Sequence, residues 1–351
     1  IRDRLKGLGF DPLIITDTGN VLQLCNAGGV QAVVFTDADS VSEAGDLPVG
    51  IASIFVSRKP LQLATVLRCI QAGVQDCWQL PMSDAEMGAR LQGLLDRMRR
   101  WLADANAELQ SMRSELERDQ RAGQYIQLGM LPPNPMGIGH YRLQHRVEPS
   151  LILSGDFVDY FQITDRHFAC YVADVAGHGA SSAFVTVLLK NFSRRLRREY
   201  RVSMLTQPGE VLAWINNELI DQQIEKHVAM FFAVVDVQDS RLYFSNAAHF
   251  PPAMMVAGEG VLSLEQKGKP LGIFDNAEFE SLSVDFPKGA RVVVFSDGVL
   301  DLISADTLKA KEQVLLEMVQ RCEDMETLWG CFDTSKLGQD DLSCLMISHE
   351  I

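Results

Sequence analysis

The sequence predicts two folded domains of different class, an α/β domain followed by an α+β domain, with a long helix between them. Up to about residue 80, short apolar runs rich in β-branched residues alternate with helical stretches. Residues 91–116 then carry apolar side chains at heptad spacing. Beyond residue 131, β-like runs are separated by amphipathic helical stretches, which is typical of an α+β sandwich of sheets flanked by helices.

Length and composition limit the classes of function. The chain has 351 residues, 47% of them apolar and 22% charged, which suits two folded units and a connector. Its formal net charge of −14 and the lack of a helix-turn-helix pattern argue against a transcription factor. No apolar run approaches the roughly 18 residues that cross a bilayer, and seven scattered cysteines without a Cys-x-x-Cys pair suit reduced thiols. We expect a cytoplasmic protein that binds neither nucleic acid nor membrane.

The first predicted domain, residues 1–86, is a parallel α/β unit. Its apolar runs have the length and composition of buried strands, and the helical stretches between them are expected to be crossover helices. The predicted strands are Pro12–Thr16, Ala32–Phe35 and Ile51–Val56, and the predicted helices are Asn20–Ala27 and Leu61–Ala72.

Residues 87–130 are predicted to form a helical linker. Its apolar positions alternate between spacings of four and three residues and are Leu91, Leu95, Met98, Leu102, Ala105, Leu109, Met112 and Leu116. A seven-residue repeat of this length indicates a coiled coil, and hence a homodimer through 91–116. The alternative is a single long helix that packs on its own domain. Three prolines between Met130 and Pro135 end the helix.

The second predicted domain, residues 131–351, contains several strands and helices. The predicted strands are Phe168–Ala173, Met230–Val237, Leu242–Asn246, Arg291–Phe295 and Leu342–Ser348, and the predicted helices are Ala180–Arg198, Pro208–Asp221 and Leu308–Cys322. The end of the first helix is strongly basic from Lys190 to Arg201. This cluster is either a solvated helix face or a contact for a phosphoprotein or another acidic partner.

Acidic residues stand at strand ends or turns of this domain in four places. They are Asp156, Asp174, Asp297 and the pair Asp340 and Asp341. Each place has a glycine within three residues, which permits tight turns and close backbone approach. Carboxylates gathered from distant positions would repel one another without cations, and Mg²⁺ and Mn²⁺ prefer such oxygen ligands. An Asp-Gly at a strand end is also a common turn, so the residues alone leave both interpretations open.

Six motifs follow one another in this domain. They are Ser154–Asp159, Asp174–Gly179, Asn246–Pro252, Pro270–Gly272, Ser296–Val299 and Asp340–Ser343. In wording and spacing they resemble the type-2C metal-dependent serine/threonine phosphatases, specifically the bacterial branch of stage-II-sporulation and stress regulators. The resemblance extends from about Gln120 to Ile351. One departure is Ala248, which stands where the branch usually has glycine.

The resemblance implies a catalytic site with two divalent cations, Mn²⁺ or Mg²⁺. The implied ligands are Asp156, Asp174, the Val175 carbonyl, Asp297 and Asp340, and the adjacent acidic positions are Asp159 and Asp341. Within this set, Asp156 and Asp174 would bind or bridge the cations, and Asp297 and Asp340 would hold the second one. Water activated between the cations would attack the phosphorus in line, without a covalent phosphoenzyme.

Two histidines lie in these motifs. His178 is a candidate general acid for the leaving serine oxygen, because histidine titrates in the right range. However, better-known relatives place that histidine two residues after the metal aspartate, where this chain has Ala176. We expect His249 to be structural.

The first domain resembles the receiver of a response regulator in Val33–Asp37, Ser57 and Gly73–Pro81. The resemblance implies Asp37 as the phosphoacceptor and an upstream histidine kinase, and the alternative for Asp37 is a capping or turn aspartate. Leu80 stands where a receiver needs lysine, which is typical of a degenerate receiver. The order of receiver, helical linker and phosphatase resembles the RssB-type response regulators.

This order implies a response regulator that removes phosphate from serine or threonine of a protein. The implied substrate is an anti-sigma-factor antagonist in stress-response partner switching. The alternative is a non-catalytic adaptor that binds a stress sigma factor through a phosphatase-like scaffold.

Overall fold

The computed structural model describes residues 2–9, 11, 25, 30–36, 41, 44, 46–48, 50–177, 179–336, 338 and 340–350. Internal contacts divide the chain into two compact units, Ile1–Glu115 and Leu116–Ile351. Among the residues just given, no helix is both long and apolar enough to span a membrane.

The first unit contains a parallel sheet, as the sequence predicted. Its elements are helix α1 (Arg2–Gly7), strands β1 (Ala32–Phe35), β2 (Ala52–Ser57) and β3 (Asp76–Gln79), and helix α2 (Leu63–Gln71). The strands lie in the order β1-β2-β3, and α2 connects β2 to β3. The predicted strand Pro12–Thr16, the predicted helix Asn20–Ala27 apart from Cys25, and Asp37 lie outside the described residues.

The predicted linker is one helix, α3 (Asp84–Met130), of 47 residues. Its first heptad positions, Leu91 and Leu95, are buried in the core of the first unit with Ile54 and Trp78. This part of the helix packs on its own domain, as the alternative interpretation of the repeat predicted. Farther along, Leu109, Met112 and Leu116 are each more than half exposed.

The second unit contains two antiparallel sheets. The six-stranded sheet consists of β4 (Met136–Ile138), β5 (Tyr141–Glu148), β10 (Ala253–Ala257), β11 (Gly260–Leu264), β13 (Arg291–Phe295) and β14 (Leu342–His349). The five-stranded sheet consists of β6 (Asp156–Gln162), β7 (His167–Val175), β8 (Val228–Asp236), β9 (Arg241–Ala247) and β12 (Leu282–Asp285). Their strand orders are β11-β10-β13-β14-β5-β4 and β12-β9-β8-β7-β6. All five predicted strands are confirmed within two residues.

Helices cover the outer faces of both sheets. The helices are α4 (Ala180–Glu199), α5 (Pro208–Asp221), α6 (Leu308–Arg321) and α7 (Met325–Trp329). Alternate strand residues such as Val158 and Val292 fill the core between the sheets. The strand residues between them point to the outer faces of the sheets. On the five-stranded sheet they include Phe157, which packs under α4 and α5, and on the six-stranded sheet they include Phe295, which packs under α6 and α7. The unit is therefore a four-layer α-β-β-α sandwich, and the three predicted helices are confirmed.

Candidate active site

Asp156 and Asp174 are cross-strand neighbours at one end of the sandwich. Asp156 is the first residue of β6, and its partner in the antiparallel ladder is Asp174 near the end of β7. Directly paired side chains lie on the same face of a sheet, here the face toward the second sheet. The backbone closes tightly beside them, because a Cβ at Gly155 would lie 2.9 Å from the Val175 carbonyl oxygen. The carbonyl implied as a metal ligand thus lies next to the Asp156 turn.

The other sheet contributes the second acidic pair. Asp297 follows β13 and begins a 3₁₀ helix, Asp297–Leu302, while Asp340 and Asp341 precede β14. These two strands are neighbours, so both loops emerge at the same sheet end. A Cβ at Gly298 would collide with the Asp341 carbonyl oxygen, so the Asp-Gly sequence allows the two loops to touch.

Asp341 connects the two sheets through hydrogen bonds. Its carboxylate accepts from the Gly155 amide at 2.6 Å and from the Ser150 amide at 2.7 Å. It also accepts from the Ser150 hydroxyl at 2.9 Å. These bonds occupy both oxygens of Asp341, which therefore positions the turn before Asp156.

The acidic residues strongly perturb one another. Burial, and then Asp297 and Asp340, raise the pKa of Asp174 to about 7. Burial and Asp340 raise the pKa of Asp297 to about 6, and burial and Asp174 raise the pKa of Asp156 well above its usual range. Asp156 Oδ2 and Asp297 Oδ1 are buried with no hydrogen-bond partner among the described residues. Buried anionic oxygens without partners are costly, and hard divalent cations prefer carboxylate oxygens of this kind, although among the described residues no three of these side chains form a ready-made metal site.

Asp159 is not part of this acidic cluster. It lies three residues beyond Asp156 on β6, so its side chain points to the opposite face of the sheet, toward α4. Its Oδ1 is 2.8 Å from the Lys190 ammonium, and its side chain is fully buried. Burial raises the pKa of Asp159, and Lys190 acts in the opposite direction. The structure thus brings together Asp156, Asp174, Asp297, Asp340 and Asp341 but separates Asp159 from them.

Lys226 lies beside the site, and no sequence pattern had indicated this lysine. It lies between α5 and β8, and its ammonium donates to the Ala176 carbonyl at 2.8 Å and to the Ser182 hydroxyl at 3.3 Å. These bonds fix the backbone just after Val175. No motif marks Lys226, because its position depends on the pairing of distant strands. His178, a candidate general acid, lies outside the described residues.

The linker helix also contacts the Asp156 turn, which no sequence pattern indicated. The Gln127 side chain donates to the Ser154 carbonyl at 2.7 Å and to the Thr186 hydroxyl at 3.0 Å. It accepts from the Ser154 amide at 3.1 Å. The Ser154 hydroxyl in turn accepts from the Asp156 amide at 3.1 Å. One glutamine of α3 therefore holds both the Asp156 turn and α4.

His249 occupies a buried turn, as expected for a structural histidine. Asn246 closes the turn, since its side chain accepts from the His249 amide at 2.7 Å and donates to the His249 carbonyl at 3.0 Å. Burial lowers the pKa of His249 to about 4. Ala248 has a φ of 55°, in the left-handed region where glycine is favoured.

The four-layer sandwich with carboxylates at the ends of both sheets defines the class as a type-2C protein phosphatase fold. The SiaA PP2C domain of Pseudomonas aeruginosa has a similar structure, with a TM-score of 0.55 and 17% identity. The match covers 68% of this chain and 98% of that domain. At this identity the likeness concerns the fold.

The chain belongs to the stage II sporulation protein E (SpoIIE) family, whose model matches residues 164–350. It is 28% identical over 155 residues to phosphoserine phosphatase RsbP of Bacillus subtilis, covering 42% of this chain. It is 26% identical over 161 residues to phosphoserine phosphatase RsbU of the same organism, covering 44% of this chain. The chain spans only 37% and 44% of the lengths of these relatives. Family, relatives and fold together identify a protein serine/threonine phosphatase domain.

Proposed function

We propose that this protein hydrolyses phosphoserine or phosphothreonine on a protein and uses two divalent cations, Mn²⁺ or Mg²⁺. The observation that carries the proposal is the cluster of carboxylates at one end of the sandwich, in which Asp156 Oδ2 and Asp297 Oδ1 are buried without a hydrogen-bond partner among the described residues. The ligands would be Asp156, Asp174, the Val175 carbonyl, Asp297 and Asp340. When bound, the cations supply activated water and offset negative charge on the phosphoryl group.

The surrounding residues position these ligands. Asp341 holds the Gly155 turn, and Lys226 holds the carbonyl that follows Val175. A cysteine nucleophile is disfavoured, because burial raises the pKa of Cys170 and Cys344 and keeps both thiols protonated.

The proposed substrate is a phosphoserine of an anti-sigma-factor antagonist in stress-response partner switching. Support comes from the relatives RsbP and RsbU, both described as phosphoserine phosphatases. Their names state the phosphorylated residue, and the partner protein is our inference from the resemblance described above.

We further propose regulation through the first unit and α3. The three parallel strands are compatible with part of a receiver, in which Asp37 would accept phosphate from a histidine kinase. The Gln127 contacts give the linker a direct connection to the metal-site turn. The exposed heptad positions Leu109, Met112 and Leu116 support a homodimer through the later part of 91–116.

The test is hydrolysis of p-nitrophenyl phosphate by the full chain with Mn²⁺, with Mg²⁺ and with chelator. Asp297→Asn should lower metal-dependent turnover by at least about 100-fold, because it removes a metal ligand. Asp306→Asn is the matched control, since this exposed aspartate lies four residues beyond the same 3₁₀ helix. No turnover by the folded parent protein with either metal would contradict the enzyme and favour the sigma-factor adaptor.

A further inference from the structure

Helix α4 begins beside the acidic site and extends away from it. Its first residue, Ala180, directly follows the motif Asp174–Gly179, and its 20 residues span about 30 Å. One face packs on the five-stranded sheet through Val185, Leu189, Phe192 and Leu196. The opposite face is therefore a continuous surface that starts at the site.

The exposed face of α4 changes character along the helix. Phe184 is 71% exposed and Val187 is 41% exposed near the site. Arg194 and Arg198 continue the same face, because they follow Val187 at helical spacings of seven and eleven residues. An apolar segment near the site is thus followed by a basic segment.

The basic segment contains more cationic side chains than the ion pairs of the described fold involve. Residues 190–201 contain six cations and one acidic residue, in a chain whose net charge is −14. Lys190 pairs with buried Asp159, and Arg195 pairs with Glu218 at 2.8 Å. The remaining four are exposed and form no ion pair with any residue in the described part of the chain: Arg194, Arg197, Arg198 and Arg201.

Helix stability accounts for only part of this charge, because Arg197 and Arg198 lie in the last turn but Arg194 precedes it and Arg201 lies beyond the helix. The helix dipole favours cations only in the last turn, and like charges three or four residues apart repel. A cleft of about 230 Å³ opens beside one of them, Arg201, and is also lined by Arg195, Leu196, Glu199, Met204 and Trp214. Guanidinium groups around a partly apolar cleft are suited to carboxylates next to an apolar side chain.

We propose that the α4 docking face, defined as Phe184, Val187, Arg194, Arg197, Arg198 and Arg201, binds an acidic segment of the phosphoprotein substrate. This inference rests on the proposed phosphatase function. Residues 179 and 198 are about 28 Å apart along the helix, so an extended substrate needs about eight residues between phosphoserine and acidic segment. Docking at this distance selects the substrate without touching the reacting phosphate.

The experiment uses synthetic phosphoserine peptides and the full chain. In each pair, the residues around phosphoserine and an eight-residue spacer are identical, and the distal tail contains either four glutamates or four glutamines. The tail is placed after the phosphoserine in one pair and before it in the other. Fluorescein-labelled tails without phosphoserine measure docking directly by anisotropy, so docking is assessed even without turnover.

In at least one pair, we expect the peptide with the glutamate tail to have a KM about five- to tenfold lower than the peptide with the glutamine tail, with little difference in kcat. Arg194→Glu/Arg198→Glu should remove this preference and weaken binding of the glutamate tail, while p-nitrophenyl phosphate turnover stays unchanged. The control Lys267→Glu/Lys288→Glu changes net charge equally at exposed positions outside α4 and should keep the preference. Arg194→Gln/Arg198→Gln provides a milder variant if the reversal impairs folding.

Equal KM and equal affinity for both tails, or a preference that survives the arginine variants, would overturn the docking face. A short single-stranded RNA that binds the same arginines more tightly than the glutamate tail would also overturn it. If the parent protein does not hydrolyse p-nitrophenyl phosphate but still binds the glutamate tail more tightly than the glutamine tail, the phosphatase function is contradicted and the docking face remains supported.

Discussion

Strand β6 carries two buried aspartates with different electrostatic environments. Asp156 faces the second sheet, where burial and the neighbouring Asp174 raise its pKa well above the usual range. Asp159, three residues later, faces α4, and its Oδ1 forms an ion pair with Lys190 Nζ at 2.8 Å. Among the residues that the structure describes, a lysine pairs with Asp159 and no cationic side chain pairs with Asp156. The difference agrees with a structural role for Asp159 and with the proposed cation site at Asp156.

The largest effect should come from neutralising Asp156. Asp156→Asn is expected to lower kcat for p-nitrophenyl phosphate by about 1,000-fold, because the proposed metal site loses one of its ligands. The same change should raise the melting temperature of the chelator-treated protein, because it removes a repelling buried charge. Activity within tenfold of the parent value would show that Asp156 does not hold a metal.

Asp159 should show the opposite response. Asp159→Asn leaves Lys190 without its buried partner and should lower the free energy of unfolding by about 3 kcal/mol, measured by urea denaturation. The pair replacement Asp159→Leu/Lys190→Met should cost less than either single change, because no buried charge is then unpaired. Additive losses in the double variant would contradict a stabilising pair and remove the distinction between the two faces of β6.

The pH dependence of stability should separate the two environments further. The folded-state pKa values of Asp174 (about 7) and Asp297 (about 6) exceed the ordinary 3.8, so the folded protein holds extra protons between about pH 4 and pH 7. Their contribution to stability is present below pH 4 and is lost as pH rises through this window.

Saturating Mn²⁺ should offset this loss, because the cation binds the ionised carboxylates. Thermal unfolding with Mn²⁺ and with chelator, from pH 5 to pH 8, should therefore diverge by several degrees as pH rises. A constant difference between the two curves would contradict the assignment of these carboxylates to a metal site.

A smaller effect is expected where the linker helix contacts the start of β6. Gln127→Ala should lower kcat and Mn²⁺ affinity by about tenfold, as loss of a group that orients metal ligands does. Gln124→Ala, one turn earlier on α3, is the matched control and should change neither quantity. A loss of stability without a change in Mn²⁺ affinity would limit Gln127 to a packing role.

The contrast on β6 also explains what the sequence could predict. Helix Pro208–Asp221 was predicted to the residue, since proline starts it and its apolar face repeats at 3.6 residues. The residues alone left the acidic positions open between ordinary turns and a shared site, since each aspartate has a glycine nearby at a strand end or turn, and the family resemblance favoured the shared site. Asp159 was grouped with Asp156 through a motif, although strand alternation places residues three apart on opposite faces.

Lys226 and Gln127 lay beyond sequence reasoning for a different reason. Each acts through contacts to residues 27 to 59 positions away along the chain, and neither lies in a recognisable motif. The heptad repeat shows the same limit within one helix. Its spacing is uniform from Leu91 to Leu116, yet the first positions pack on the sheet of their own unit and the last are exposed. Spacing defines an apolar face but does not define what covers it.

The smallest predicted effect tests the backbone of a turn outside both environments of β6. Ala248 holds a φ of 55°, and a Cβ in the left-handed region costs about 1 kcal/mol. Ala248→Gly should therefore raise the free energy of unfolding by up to about 1 kcal/mol, with turnover and Mn²⁺ affinity unchanged. A change in Mn²⁺ affinity would show that the turn after β9 is coupled to the carboxylates, so that β9 as well as β6 would influence the proposed metal site.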